Sequence, residues 1–324
     1  MPDRPRWRDL AELVRAPAAL SVPGDAIAGA AAAGGLHRRT AGLAAASISL
    51  YWAGMAANDW ADRDLDAVER PERPVPSGRI TPGQALAVAT VLTATGVGIA
   101  ALTGGRRSAA VAVPLAGAIW IYDLWAKNTA AGPPMMALCR GLDVLLGASG
   151  SKGRNDNGAA RDGAARDGAA RDGAARDGDG HDRGRGNGWL RDAAPAALTM
   201  AAHTATVTLL SRREVTGGGA HLPSATLAAT VALAAACAKP FGGTAGRTAT
   251  ALAGWYATWY GTAQARAATE PSANRFRAAV GAGITGMPPL QGALTARAGA
   301  PVTGLAVAAA APLAKRLTRR VPAT

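Results

Sequence analysis

Long apolar runs constrain the fold of this chain most strongly. Candidate runs of about twenty residues, separated by short charged or turn-rich segments, span residues 17–36, 40–57, 83–103, 107–124, 134–150, 193–211, 222–240, 247–265, 279–297 and 301–317. About twenty apolar residues in a helix cross the hydrocarbon core of a bilayer. Within lipid, a helix satisfies its own backbone polar groups. The sequence therefore predicts an all-α, polytopic transmembrane helical bundle of about ten spans in a cell membrane.

The composition agrees with this prediction. Hydrophobic residues make up 49% of the 324 residues, and 41 glycines and 20 prolines are present. Small residues let helix backbones approach closely in lipid. The net charge of +13 is spread over several connecting segments, without a zinc, helix-turn-helix or RNA-binding signature. Attraction to anionic lipid headgroups explains this charge better than nucleic-acid binding, so no nucleic-acid partner is expected.

Residues 151–192 differ in kind from the apolar runs. The unit Gly-Ala-Ala-Arg-Asp repeats without interruption from Gly158 to Asp177, flanked by more Gly, Asp and Arg. Each glycine costs a helix roughly 1 kcal/mol, and the repeats contain almost nothing that could form a core. We expect a disordered insert over 151–192 that divides one membrane domain into a first part, 1–150, and a second part, 193–324.

An acidic segment follows the second apolar run. It reads Asn58-Asp59-Trp60-Ala61-Asp62-Arg63-Asp64-Leu65-Asp66, and the basic segment Glu69-Arg70-Pro71-Glu72-Arg73-Pro74-Val75-Pro76-Ser77-Gly78 comes next. In a continuous helix, Asn58, Asp62 and Asp66 would share one face, with Asp59 beside them and Asp64 pointing away. Such an oxygen-only set suits Mg²⁺ bridged to a phosphate, and Arg70 and Arg73 could hold phosphate oxygens. The alternative is a solvated acidic loop.

The pattern N-D-x-x-D-x-x-x-D followed by E-R-P-x-R-P-x-P-S-G resembles the first aspartate-rich motif of the UbiA superfamily of membrane prenyltransferases, especially its chlorophyll-synthase-like members. The resemblance implies a UbiA-like helical membrane enzyme that joins an isoprenyl diphosphate to an acceptor with Mg²⁺. It implies Asn58, Asp59, Asp62 and Asp66 as metal ligands, with Asp62 and Asp66 also among the catalytic residues.

Two basic residues lie in or beside later apolar runs. Tyr122-Asp123-Leu124-Trp125-Ala126-Lys127-Asn128 is similar to the family's tyrosine-containing segment, whose lysine lies near the diphosphate, so Lys127 is a catalytic and diphosphate-binding candidate. Arg140, three residues before Asp143, is a second diphosphate candidate, since ionisable groups at membrane depth usually face the bundle interior. The alternatives are an interfacial anchor for Lys127 and a structural ion pair for Arg140.

The second acidic motif of the family is altered here. The corresponding segment contains Ser211-Arg212-Arg213-Glu214-Val215, with Glu214 as its one carboxylate. This loop resembles the EboC-like branch of the superfamily. Arg212 is predicted to neutralise the diphosphate in place of a second metal ion, and Glu214 to act in catalysis. An ordinary basic loop on the cytoplasmic side is the alternative.

The expected activity is Mg²⁺-dependent transfer of a polyprenyl group from an isoprenyl diphosphate to a lipophilic or small-molecule acceptor of unknown identity. Two other classes stay open at this stage. A non-catalytic UbiA-like protein could bind or transport lipids, and an ion-coupled transporter could use Asp25, Arg140 and Asp143. The transporter fits less well because the acidic cluster lies in a connecting segment.

Overall fold

The computed structural model describes residues 6–16, 22–151, 187–238 and 242–312, and these residues form helices and connecting segments without a β-strand. Eleven α-helices lie within them: α1 Trp7–Leu13, α2 Pro23–Ala32, α3 Arg38–Ala61, α4 Arg63–Glu69, α5 Pro82–Leu124, α6 Gly132–Ala148, α7 Gly188–Ser211, α8 His221–Cys237, α9 Gly243–Thr269, α10 Ala273–Arg297 and α11 Pro301–Ala308. A short 3₁₀ helix, Ala126–Asn128, connects α5 to α6. The predicted all-α fold class is confirmed.

Helix α5 contains two of the predicted apolar runs. The break between them lies at Gly105, whose φ of 70° and ψ of −158° are not helical. A positive φ of this kind is accessible mainly to glycine. The helix begins at a capping box, in which Thr81 accepts a hydrogen bond from the Gln84 backbone N–H and the Gln84 side chain accepts one from the Thr81 backbone N–H. Two helical segments thus meet at an angle, as the separate runs predicted.

Helix α2 lies at the centre of the first part of the bundle, in contact with α3, α6, α7 and α10. Its approach to α6 depends on glycines. A Cβ atom added to Gly29 would lie 1.8 Å from the Val144 carbonyl oxygen, and one added to Gly147 would lie 2.0 Å from the Ala26 carbonyl oxygen. Any side chain would push the two helices apart, so the small residues noted in the sequence serve close backbone packing here.

The second part of the bundle pairs α9 with α10 and α10 with α11, while α7 packs against α6. Its core contains the fully buried rings of Tyr256, Tyr260 and Phe276. The His203 ring lies among them, with its Nδ1 atom 2.9 Å from the Tyr256 hydroxyl oxygen. His203 is therefore a hydrogen-bonded core residue.

Two helices within the described ranges, α5 and α7, are long and apolar enough to cross a membrane. In α5 the most apolar window has a mean hydropathy of 2.0 although only 22% of it is buried. An apolar surface this exposed is typical of a helix that faces lipid. Two shorter apolar helices span His221–Cys237 and Pro301–Pro312. The structure does not confirm a count of nine or ten spans.

Two predicted boundaries differ from the structure. Helix α7 begins at Gly188, so the last residues of the predicted insert, 188–192, are helical. The rest of the insert, residues 152–186, lies outside the described residues. Within the first predicted span, 17–36, the structure describes a helix only over Pro23–Ala32, since residues 17–21 also lie outside the described ranges. At a rise of about 1.5 Å per residue, ten residues are too short to cross a bilayer.

Candidate functional site

The acidic segment is not one continuous helix. Helix α3 ends at Ala61, and Asp62, with a φ of −91° and a ψ of 3°, separates it from α4. The backbone hydrogen bonds from Asp62 N–H to Asn58 O (2.9 Å) and from Asp66 N–H to Asp62 O (2.8 Å) are kept across this break. Asn58 and Asp62 contact Lys127 whereas Asp66 contacts Arg73, so the residues of the predicted single face divide between two basic partners.

Two of the four predicted metal ligands surround a buried arginine. The Arg73 Nη1 atom lies 2.6 Å from Asp66 Oδ2 and 3.4 Å from Asp59 Oδ1. All three side chains are at least 92% buried. Arg15 also donates to Asp59, at 3.1 Å, and Arg70 lies 3.7 Å from Asp66. The charges of Asp59, Asp66 and Arg73 thus compensate one another inside the protein.

The other two predicted ligands face a lysine. The Lys127 Nζ atom lies 2.7 Å from Asp62 Oδ1 and donates to Asn58 Oδ1 at 3.1 Å. The side chains of Asp62 and Lys127 are 21% and 12% exposed. This group is therefore more accessible to solvent than the buried group around Arg73. Asp64 points into solvent with 87% of its side chain exposed, as predicted.

A cavity of about 260 Å³ connects this site to the bundle interior. On α3 it is lined at helical spacing, from Ser47 through Tyr51 and Gly54 to Asn58. Ser47 and Asn58 are eleven residues apart, which corresponds to about 16 Å along the helix axis. We call the end lined by Asn58, Tyr122 and Asp123 the outer end. The end lined by Ser47, Arg140 and Asp143 is the inner end, and apolar side chains lie between them: Leu50, Leu115, Ile119 and Met136.

Arg140 lies at the inner end and not beside the acidic segment. Its Nη1 atom lies 2.5 Å from Asp25 Oδ2, and the other oxygen of this fully buried carboxylate accepts a hydrogen bond from Gln291 Nε2 at 2.9 Å. The structural ion pair considered for Arg140 is present, although its acid is Asp25 on α2 and not the neighbouring Asp143. A diphosphate contact for Arg140 stays a prediction.

The altered second motif forms the turn after α7. Arg212 donates to the Thr129 carbonyl oxygen in the segment that follows Lys127, which places this guanidinium at the same end of the bundle as Lys127. Glu214 is half-buried beside Arg277, whose guanidinium reaches the Glu214 carbonyl oxygen. Burial raises the pKa of the Glu214 carboxyl group, and the nearby Arg277 charge opposes that shift. The catalytic role of Glu214 stays a prediction.

The oxygen atoms of the acidic segment differ in how well they suit Mg²⁺. Within the described ranges, no group of three or more His, Cys, Asp or Glu side chains could hold a metal ion. Mg²⁺ in phosphate-binding sites needs only one or two carboxylates when phosphate oxygens complete the coordination. Asn58 and Asp62 fit this requirement, because their oxygens already converge on a cation, the Lys127 ammonium group. Asp59 and Asp66 fit less well, since Arg73 occupies their oxygens.

The residue patterns did not single out three residues of this site. Asp123 is a 4% exposed carboxylate in the cavity wall, and Arg15 and Tyr51 also line the cavity. Asp123 directly follows Tyr122 in the segment that was compared with the family, which is the one signal that could have found it. Arg15 lies outside the motifs of the sequence, and its contact with Asp59 joins residues 44 positions apart.

Comparisons with known proteins agree with this architecture. Residues 22–162 match the model of the UbiA prenyltransferase family. A digeranylgeranylglyceryl phosphate synthase of Natronomonas pharaonis is 32% identical over 146 residues, which cover 44% of this chain and 53% of the relative. The 33 kDa chain of the bacteriochlorophyll synthase of Cereibacter sphaeroides is 36% identical over 98 residues, covering 29% and 32%. The aligned part spans about half, or less, of these curated relatives.

Solved structures extend the likeness over most of the chain. A UbiA homologue from Archaeoglobus fulgidus, solved with GPP and Mg²⁺ bound, superposes with a TM-score of 0.57 at 12% identity, covering 93% of this chain and 99% of that one. At this identity the match shows the fold alone. The helical bundle has the fold of this UbiA homologue. The match of residues 22–162 to the UbiA prenyltransferase family is the resemblance that the aspartate-rich motif indicated.

Proposed function

We propose that this protein is an integral-membrane prenyltransferase, which transfers a polyprenyl group from an isoprenyl diphosphate to a lipophilic or small-molecule acceptor. The observation that carries the proposal is the group formed by Asn58, Asp62 and Lys127 at the outer end of the cavity. A polar site that binds a cation adjoins an apolar cavity, which suits the transfer of an isoprenoid group from a diphosphate to a lipophilic acceptor. The names of the relatives support the same activity.

In the proposed reaction, the bond between the allylic carbon and the diphosphate oxygen breaks, and its electron pair leaves with the diphosphate. The acceptor forms a bond to that carbon and loses a proton. Lys127 and Arg212 stabilise the negative charge of the leaving group. Asn58 and Asp62 would hold Mg²⁺, which supplies further charge neutralisation when bound. The apolar cavity wall limits the water near the carbocation, so that a bound acceptor reacts ahead of water and water reacts when no acceptor is present.

The residues of the predicted site have two different roles in this reaction. Asp62 and Lys127 act directly on the diphosphate end, with Arg212 beside them. The pairing of Arg73 with Asp59 and Asp66 holds the junction of α3 and α4 in place, so that Asp62 faces Lys127. The bilayer, proposed to be the cell membrane, supplies the lipophilic substrates laterally.

A non-catalytic lipid-binding or lipid-transporting role is not favoured, because the relatives are named as synthases. One measurement decides between the two classes. Purified protein in lipid nanodiscs is incubated with geranylgeranyl diphosphate, and the release of diphosphate is followed with and without Mg²⁺. Release that depends on Mg²⁺ supports the enzyme, whereas binding of the lipid without any release supports the non-catalytic protein.

The matched pair Asp62→Ala and Asp64→Ala tests which carboxylate acts. Asp62 faces Lys127, while Asp64 is exposed two residues further on. A hydrogen bond to a charged group contributes about 1.5–3 kcal/mol. Asp62→Ala should therefore lower Mg²⁺-dependent diphosphate release at least about ten-fold, and Asp64→Ala should leave it unchanged. Equal loss in both variants would contradict the assignment.

A further inference from the structure

The inner end of the cavity is polar although it lies deep in the bundle. Ser47 and Asp143 are 1% and 7% exposed, and the side chain of Arg140 is 16% exposed. These residues line the same cavity as Asn58, but they are separated from it by apolar side chains. Ionisable groups at membrane depth are costly and usually mark a functional site. The proposed prenyl transfer assigns no role to this polar end.

The charge of Arg140 is already compensated there. Its guanidinium contacts Asp25 at 2.5 Å and also lies near Asp143. Asp25 is fully buried and is held on its other side by Gln291. Two carboxylates thus surround one guanidinium, and no positive charge at the inner end is left to attract an anionic ligand. A carboxylate or phosphate placed here would meet Asp143.

Two buried oxygen atoms at the inner end lack a hydrogen bond of good geometry. They are Asp143 Oδ1 and Ser47 Oγ, on two side chains that lie near each other in the cavity lining. A buried polar atom without a partner costs free energy comparable to a lost hydrogen bond, and most such atoms in proteins have one. Since both residues line the cavity, a ligand could satisfy the two atoms without any rearrangement of the helices.

We propose that the inner end is a subsite for a neutral, hydroxyl-bearing group of the acceptor, with Asp143 and Ser47 as its hydrogen-bonding partners. The ligand hydroxyl donates to Asp143 Oδ1 and accepts from Ser47 Oγ. Asp25 and Gln291 keep Arg140 in place, and the apolar side chains between the two ends contact the body of the acceptor. The cavity of about 260 Å³ lies below the usual range of about 300–1,000 Å³ for ligand pockets, which favours a small acceptor.

This inference rests on the proposed function and names the class of acceptor. Its test uses two probes that share one ring, benzyl alcohol and benzoate, which differ in a neutral hydroxymethyl or an anionic carboxylate group. Equilibrium dialysis on the purified full chain in nanodiscs measures the affinity for each. The wild type should bind the alcohol more tightly than the benzoate. Tighter binding of the benzoate would overturn the proposal, because the Arg140 charge would then be available.

The variant Asp143→Asn keeps the shape of the side chain and removes its charge. It should weaken binding of the alcohol about ten-fold or more, without weakening binding of the benzoate. Ser47→Ala provides a second variant should Asp143→Asn fail to fold, and it should weaken binding of the alcohol roughly five-fold. Asp64→Asn, on the exposed surface, is the control. Unchanged affinity for the alcohol in both cavity variants would overturn the subsite.

Diphosphate release from geranylgeranyl diphosphate without an added acceptor separates this inference from the proposed function. Asp64→Asn, the surface control, should release diphosphate at the wild-type rate. If the wild type releases none but still binds the alcohol through Asp143, the proposed activity fails and the subsite stands. If the wild type releases diphosphate and both cavity variants bind the alcohol normally, the activity stands and the subsite fails.

Discussion

The buried Arg73 cluster gives the sharpest prediction about the role of an acidic-motif residue. The sequence suggested Arg73 as a diphosphate ligand, whereas the structure places its guanidinium between Asp59 and Asp66. Arg73→Met removes the charge and retains an apolar chain of similar length. If Arg73 compensates buried charge, this variant loses stability. If Arg73 serves the substrate, it loses affinity for the diphosphate instead.

The expected loss of stability depends on which arginine partner each carboxylate retains in the variant. Asp59 keeps Arg15 at 3.1 Å, but Asp66 keeps only Arg70, at 3.7 Å and half exposed. Removing one partner from a buried ion pair typically costs 3–5 kcal/mol, because the other charge stays buried. We therefore expect Arg73→Met to lower the free energy of unfolding by about 3–5 kcal/mol, mostly through Asp66. Arg70→Met removes a partly exposed pair and should cost about 1 kcal/mol or less.

The assay is denaturant unfolding in detergent micelles, combined with binding of geranylgeranyl diphosphate to the fraction that is folded. The double variant Arg73→Met/Asp66→Asn provides the decisive control. Asparagine removes the charge that the single variant leaves uncompensated, so the double variant should regain at least about half of the lost stability. A single variant of wild-type stability that no longer binds the diphosphate would refute the structural role of Arg73.

Two further predictions concern helix packing and the altered second motif. Gly29→Ala should destabilise the protein by about 1–3 kcal/mol or more, because its Cβ would lie 1.8 Å from the Val144 carbonyl oxygen. In the same unfolding assay, Gly98→Ala should gain up to about 1 kcal/mol, because its Cβ would meet no atom of the described residues within 4 Å outside its own stretch of helix. Arg212→Gln should weaken binding of geranylgeranyl diphosphate about ten-fold, whereas Arg247→Gln, exposed in the first turn of α9, should not. Equal affinity in the two arginine variants would make Arg212 an ordinary loop residue.

Local signals made much of the fold predictable. The apolar runs locate most of the helices, because a helix in an apolar environment must satisfy its own backbone. Two runs separated at Gly105 became two helical segments of α5, as the sequence indicated. The start of α7 was missed by five residues, since Arg191 and Asp192 near its start repeat the Arg-Asp pair of the preceding insert.

The candidate site was predictable in its residue types but not in its pairings. Asn58, Asp62 and Lys127 were all singled out, and the structure brings them together. The lysine comes from a segment 69 residues away from Asn58, and no local pattern specifies such a contact. Arg140 shows the same limit. Its spacing from Asp143 suggested a local pair, whereas its closest acid is Asp25, 115 positions earlier in the chain.

The two sets of pairings explain why one acidic motif contains more carboxylates than one metal ion needs. Asp59 and Asp66 contact the buried Arg73, whereas Asn58 and Asp62 contact Lys127. The first pair can stay charged without a substrate, because buried arginine compensates it. The second pair faces the partly exposed Lys127, whose ammonium group a divalent ion would replace under the proposed function. The Arg73 and Asp62 variants separate the buried support from this proposed cation site, the first by stability and the second by activity.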